Sequence, residues 1–256
     1  MPNDATAPRL TVAISSLGAR AGQIALPPPE ADITYLLLLQ RPQDAPPLAP
    51  RADLTVVPLD SLGTAASRNA ALDAAKTPFL LFADDDVALD IGGVKRLLDR
   101  LAAAPGLDIV TARLAGTAKR YAPRAHRLRR WNAGKTGTPE ILVRLARIRA
   151  RGVRFDADFG IGGRYGLGEE FVFLADALAA GLRGRFEPVT IGRHPGAGTG
   201  GDWADPALLR ARIAVLARVF GRAAPLARLA YALKHRRRLA AAPGGAVGFL
   251  LGRRPS

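Results

Sequence analysis

Apolar residues fall first into short unbroken runs and only later into helical periods. Leu10-Thr11-Val12-Ala13-Ile14 is one run, and Ile33 to Leu39 and Leu54-Thr55-Val56-Val57 are two more. Runs of this kind read as strands. Between the first two, Pro27-Pro28-Pro29 leaves room for little more than a stub of helix. Thr64 to Ala75 reads as the first clean helix, with Ala65, Leu72 and Ala75 near one face and Arg68, Asn69 and Asp73 around the rest. It feeds a further strand, Phe79-Leu80-Leu81-Phe82-Ala83, which empties into Asp84, Asp85 and Asp86. This alternation predicts a mostly parallel α/β sheet with right-handed connections.

Beyond the acids, Val94, Leu97, Leu98 and Leu101 predict an amphipathic helix over residues 91–103, with Asp90 at its cap and Pro105-Gly106 as its stop. Residues 107–114 and 141–143 read as strands and 145–150 as a short helix. The segment from Lys119 to Lys135 is basic and is expected to be irregular over the active-site face, either solvated or binding phosphates or a charged acceptor. Gly160, Gly162, Gly163, Gly166 and Gly168 mark a loop of unusual backbone or close approach to a ligand. Glu169 and Glu170 follow it and open a helix running to Ala180.

Composition narrows the class. The 256 residues contain no cysteine, which removes disulfide scaffolds and thiolate metal sites. A net charge of +15 points to anionic partners: phosphorylated substrates, nucleic acid or an anionic membrane surface. The first residues carry neither a basic nor an apolar leader segment, and the uncharged stretch 239–252 is broken by Pro243-Gly244-Gly245, so a cytoplasmic protein is the expectation.

Three adjacent carboxylates repel one another, so their place at a strand end requires a cation or donors to neutralise them. Helix capping and a solvated acidic loop account for them without chemistry; a hard cation, Mg²⁺ or Mn²⁺, completed by substrate phosphate oxygens, accounts for them with it. The order Ser67-Arg68-Asn69, Asp84-Asp85-Asp86, Phe155-Asp156, Gly168-Glu169-Glu170 and His194 resembles a family 2 glycosyltransferase of the GT-A fold, over roughly residues 10–200. The resemblance implies an α/β GT-A fold: a mixed, mostly parallel sheet with flanking helices, and a helical C-terminal extension. Residues 1–205 would form the transferase domain, with about 10–115 taking the nucleotide sugar and about 116–205 the acceptor, and 206–256 the basic extension. It implies transfer of a sugar from a nucleotide-diphosphate donor to an acceptor hydroxyl with inversion, in envelope polysaccharide or glycolipid synthesis.

The same resemblance distributes roles. Glu170 would be the general base, one methylene longer than the family's usual Asp. Ser15, Gln40, Arg68, Asn69, Asp84 and Asp85 would surround the donor, and Asp86, with Asp84 and His194, would hold Mn²⁺ or Mg²⁺. Glu169 and Trp203 would meet the acceptor. Two features depart from the family: Gln40 stands where an acid usually reads the base, and the first crossover is short.

After Asp205 no acid occurs, and Arg210, Arg212, Arg218, Arg222, Arg228, Lys234, Arg236, Arg237 and Arg238 alternate with leucines at helical spacing. Two helices packed on the core, or a basic amphipathic element on the inner face of the cell membrane, both fit. The alternatives in other classes are a nucleic-acid-binding protein and a haloacid-dehalogenase-like phosphotransferase with Asp84 as nucleophile. Against the first stand an aromatic content of 6% and the absence of a recognised binding motif. Against the second stands Ala88, where Thr or Val is expected.

Overall fold

A computed structural model describes residues 7–194, 201–240 and 245–252. The runs of the first half become β1 (Leu10–Leu17), β2 (Ile33–Gln40), β3 (Leu54–Leu59) and β4 (Phe79–Asp84), all parallel, in the order β3-β2-β1-β4. Only a 3₁₀ segment, Gly18–Gln23, fills the first crossover, as Pro27 to Pro29 imply. Helix α1 (Thr64–Ala74) joins β3 to β4. After it come β5 (Ala88–Leu89), α2 (Ile91–Ala102), β6 (Ile109–Ala115), β7 (His126–Arg127), β8 (Ile141–Arg144), α3 (Leu145–Ala150), α4 (Glu169–Ala179) and β9 (Gly184–Arg193). β8 inserts antiparallel between β4 and β6, and β9 runs parallel to β6, giving the mixed, mostly parallel sheet that was expected.

β9 went unrecognised in the sequence. Its buried Glu187 and its internal Pro188 interrupt the apolar pattern; Glu187 is tolerated because Arg100 and Arg185 neutralise it at 2.5 and 2.8 Å. The basic segment 119–135 is also placed differently from the expectation. Arg127 pairs with Arg185 at the start of β9, the end of the sheet opposite His194, while Lys119 stays near Glu140. Pairing with β9 draws the later part of the segment away from the active-site face.

Strand parity builds two cores. Leu10, Val12, Ile14, Phe79, Leu81 and Ala83 face α2, whose Val94, Leu97, Leu98 and Leu101 are almost wholly buried. Ala13, Leu36, Leu38, Leu80 and Phe82 face the layer of α1, α3 and α4. Successive side chains of a strand point to opposite faces. Two residues further along, the same parity therefore directs Ser15, Gln40 and Asp84 toward α1 and α4.

The C-terminal residues form α5 (Pro206–Phe220), α6 (Ala224–Lys234), α7 (Arg236–Ala240) and α8 (Gly245–Leu251). Pro225 sits in the first turn of α6, where a missing N–H costs nothing, so it starts a helix rather than breaking one.

An aromatic triad ties the sheet to the later half. Phe82 of β4 meets Phe155 edge-on at 5.2 Å and Phe173 of α4 at 6.1 Å, and Phe155 stacks on Phe173 at 4.2 Å. Phe82→Ala leaves a cavity at this junction and is expected to cost about 3–5 kcal/mol in chemical denaturation. Phe82→Leu should retain most of the stability; equal losses for the two would show that the site collapses freely and that the triad is not the junction.

Candidate functional site

Three strand ends and two helix starts converge here. The Ser67 hydroxyl of α1 donates to Ser15 Oγ at 2.7 Å, and Gln40 Oε1 accepts from the Gly63 N–H at 2.6 Å, just before α1. Asn69 binds Phe155 with both ends of its carboxamide, Nδ2 donating to the carbonyl at 2.9 Å and Oδ1 accepting from the N–H at 2.8 Å. That clamp fixes the chain entering the glycine loop.

The loop returns to α1: Thr64 N–H donates to the Ile161 carbonyl at 2.9 Å, and Thr64 Oγ1 donates to Glu169 Oε1 at 3.2 Å. Gly160 and Gly168 have φ of 91° and 89°, where a side chain is strained. A Cβ at Gly160 would lie 2.4 Å from Thr64 Oγ1, and one at Gly168 2.4 Å from a Val215 methyl. Gly168 thus lets α4 begin against α5, with Glu169 and Glu170 in its first turn.

Arg68 joins the two acidic motifs. Its side chain is only 5% exposed; one guanidinium nitrogen bonds Glu169, and another donates to Asp84 Oδ1 at 3.1 Å. Burial works against the charge, but Asp84 and Glu169, followed by Glu170, outweigh it and hold Arg68 protonated. Its Nε has no partner.

The three strand-end acids differ in their partners, and Arg20 is shared by two of them. Asp85 accepts from Ser16 Oγ at 2.8 Å and pairs with Arg20 at 2.6 Å. Burial nevertheless raises its pKa, with the Ser16 hydroxyl and Arg20 opposing and its two acidic neighbours adding. Asp86 lies 3.6 Å from Arg20 and 3.5 Å from His194 Nε2. Its Oδ1 is buried with no hydrogen bond, an acceptor that suits a cation. No cluster of three metal-type ligands exists among the described residues, so a cation at Asp86 and His194 needs further oxygens from a substrate. Asp84 already holds Arg68 with one oxygen.

Glu170, next to the buried Glu169, is pushed up to about 8 by burial, then by the Glu169 charge; Arg68 and Lys119 pull it down. Sequence reasoning had assigned no individual role to Thr64 or Arg20, and had named Lys119 only within the basic segment that could bind phosphates or a charged acceptor. Trp203 lies elsewhere: its ring is covered by Arg212 at 4.3 Å, His235 at 4.9 Å and Tyr231 at 5.9 Å, within the C-terminal helices. The Gly-rich residues 195–200 around the expected metal loop lie outside the described residues. A concavity of about 540 Å³ lined by His126, Arg127, Arg183 and Arg185 is at the far end of the sheet and shares none of these side chains.

Residues 48–164 match the model of glycosyl transferase family 2, a span holding Arg68 and the three acids and ending before Glu169. Similar solved structures share the fold. S. aureus TarS in complex with UDP is 13% identical with a TM-score of 0.54, over 90% of this chain and 72% of that one. The mannosyltransferase PcManGT from Pyrobaculum calidifontis, in complex with GDP-Man and Mn2+, is 15% identical with a TM-score of 0.56, over 97% and 76%. No curated protein matches the chain. The sheet and the structural likeness define a GT-A-like fold. The match to the glycosyl transferase family 2 model over residues 48–164, on a fold shared with TarS and PcManGT, favours sugar transfer over the phosphotransferase and nucleic-acid alternatives.

Two outcomes follow from the buried charges. Arg68→Ala strands Glu169 and should cost about 3–5 kcal/mol, whereas Arg68→Met with Glu169→Leu should recover much of that loss. Denaturant midpoints of both variants and of Glu169→Leu measure the coupling, and additive losses would remove Arg68 as the link.

For Glu170 the folded state holds its proton up to about 8, against 4.5 for an ordinary Glu. This contribution is complete below the lower value and is lost as pH rises to the upper one. Wild type should therefore lose stability relative to Glu170→Gln across that window, by no more than about 1.4 kcal/mol per pH unit. Parallel stability curves for the two proteins would show that Glu170 titrates normally.

Proposed function

We propose that the protein moves a sugar from a nucleoside-diphosphate sugar to an acceptor hydroxyl with inversion, with residues 1–205 as the transferase unit. The observation that carries this reading is Arg68, which spans Asp84 on the donor side and Glu169 at the start of α4. One guanidinium thus sets the distance between the strand-end acids and the helix that bears Glu170.

Asp86 and His194 are the residues to hold a divalent cation, Mn²⁺ suiting the imidazole better than Mg²⁺. When bound, such a cation would offset the negative charge of the leaving diphosphate. Ser15, Gln40, Arg68, Asn69, Asp84 and Asp85 surround the donor in this reading. Gln40 already accepts from Gly63, and Asn69 from Phe155, so these two act through the backbone they fix. TarS is also known with UDP-GlcNAc, and PcManGT with GDP-Man and Mn2+; both support a nucleotide-sugar donor here.

Glu170 takes the proton from the acceptor hydroxyl as that oxygen attacks the anomeric carbon from the face opposite the diphosphate. Its raised pKa makes it a stronger base than an ordinary Glu, at the expense of being largely protonated at neutral pH. Glu169, paired with Arg68 and Thr64, positions the turn and is not available as a base. The acceptor is an envelope glycan or glycolipid, and the enzyme works on the inner face of the cell membrane.

The test separates donor from acceptor chemistry. Thermal stabilisation by a panel of UDP- and GDP-sugars should require Mn²⁺ or Mg²⁺ and should vanish in Asp86→Ala; stabilisation that survives excess chelator would overturn the cation. Glu170→Gln should leave donor stabilisation unchanged, lower turnover by about 10² or more, and remove the ascending limb of kcat/KM near pH 8. Normal turnover in Glu170→Gln would overturn the base. The anomeric configuration of the product, read by NMR, decides inversion.

A further inference from the structure

Helix α6 has its polarity reversed. Ala224 and Ala232 are buried and Tyr231 packs inward on Trp203 and Phe249, while Leu226, Leu229 and Leu233 are 71%, 45% and 61% exposed. Spacings of three and four put these leucines on one face of the helix. α8 packs on α6 through Phe249 and exposes Val247 and Leu251 at 68% and 56%. Half of the exposed large hydrophobic side chains among the described residues lie on these two helices. α5 behaves ordinarily: Leu209 and Leu216 are buried among α6 to α8, while Val215 and Val219 pack on Phe159 and Val172 of the body, so the module holds there without help from the α6 leucines.

Cations rim the apolar face. Arg222, Lys234, Arg236 and Arg237 are exposed, and no Asp or Glu follows Asp205 in the chain. His235 adds nothing to this charge at neutral pH, because burial, with Lys234, Arg238 and Arg212 around it, pushes it down to about 4. An apolar stripe rimmed by cations and free of acids matches acyl chains beneath anionic headgroups. A second copy of the chain is a poor occupant, since it would bring the same acid-free surface against this one.

We propose that α6 and α8 form a docking face for an anionic bilayer, with Leu226, Leu229, Leu233, Val247 and Leu251 entering the headgroup-acyl boundary and the arginines meeting lipid phosphates. No helix among the described residues is long and apolar enough to cross a membrane. The module abuts the acceptor side, because Val215 of α5 packs on Gly168 immediately before Glu169. On the glycosyltransferase reading above, and resting on it for this step alone, the acceptor is a hydroxyl carried on a membrane lipid.

Flotation with phosphatidylcholine vesicles, with and without phosphatidylglycerol, tests the face. Wild type should float with the anionic vesicles. Leu226→Gln/Leu229→Gln/Leu233→Gln should bind at least about tenfold more weakly at every salt concentration, from the lost apolar burial. Arg222→Gln/Arg236→Gln/Arg237→Gln should lose affinity mainly at low salt. Equal recovery with neutral and anionic vesicles, or an undiminished leucine variant, overturns the proposal. So does a lipid-free dimer of wild type, seen by sedimentation, that the leucine variant abolishes. Unchanged melting of both variants excludes unfolding as the cause. Flotation requires no turnover, so a failed transferase assay and a failed docking assay are separate results.

Discussion

A buried arginine is costly, and Arg68 is retained where burial opposes its charge because carboxylates on two separate elements depend on it. Without it, Glu169 would be a buried anion at a helix start, held only by Thr64 and the helix dipole. With it, the end of β4 and the start of α4 are locked at a distance set by a planar, rigid fork. The aromatic triad directly beneath does the same with apolar contacts, since Phe82 is two residues before Asp84 and Phe173 one turn after Glu169. Polar and apolar junctions thus fix the same two elements against each other.

The acid triplet illustrates how like charges coexist. The carboxylates divide their partners unevenly: Arg68 for Asp84, Ser16 and Arg20 for Asp85, and the same Arg20, more distant, with His194 near Asp86. Compensation is weakest at Asp86, whose Oδ1 lacks a hydrogen bond. Repulsion that would scatter the loop is cancelled in graded fashion, so the least satisfied oxygen lies where an incoming cation is most strongly attracted.

Local sequence showed the first half of this design well. β1, β2 and β4 are buried on both faces, so their composition is set by the core and reads as apolar runs. Parity then places Ser15, Gln40 and Asp84 on one face without further information. What sequence concealed depends on long-range pairing. β9 carries a buried Glu187 whose neutralisation by Arg100 is separated by many residues, and no local pattern announces that rescue. Residues 126–127 join β9 for the same reason. The partners of Asn69, Thr64 and Arg68 likewise lie far along the chain, so their residue types were visible while their geometry was not.

The extension reverses the usual inference from amphipathicity. A helical period of leucines among arginines normally means that leucines face the core, and α5 obeys this. In α6 two alanines and Tyr231 take the inward positions and the leucines do not. Periodicity therefore identifies a helix and an apolar face, but only packing decides which way that face turns. Here the turn exposes leucine to the same side as an acid-free cationic rim. What such a face can meet depends on the charge that surrounds it as well as on the leucines.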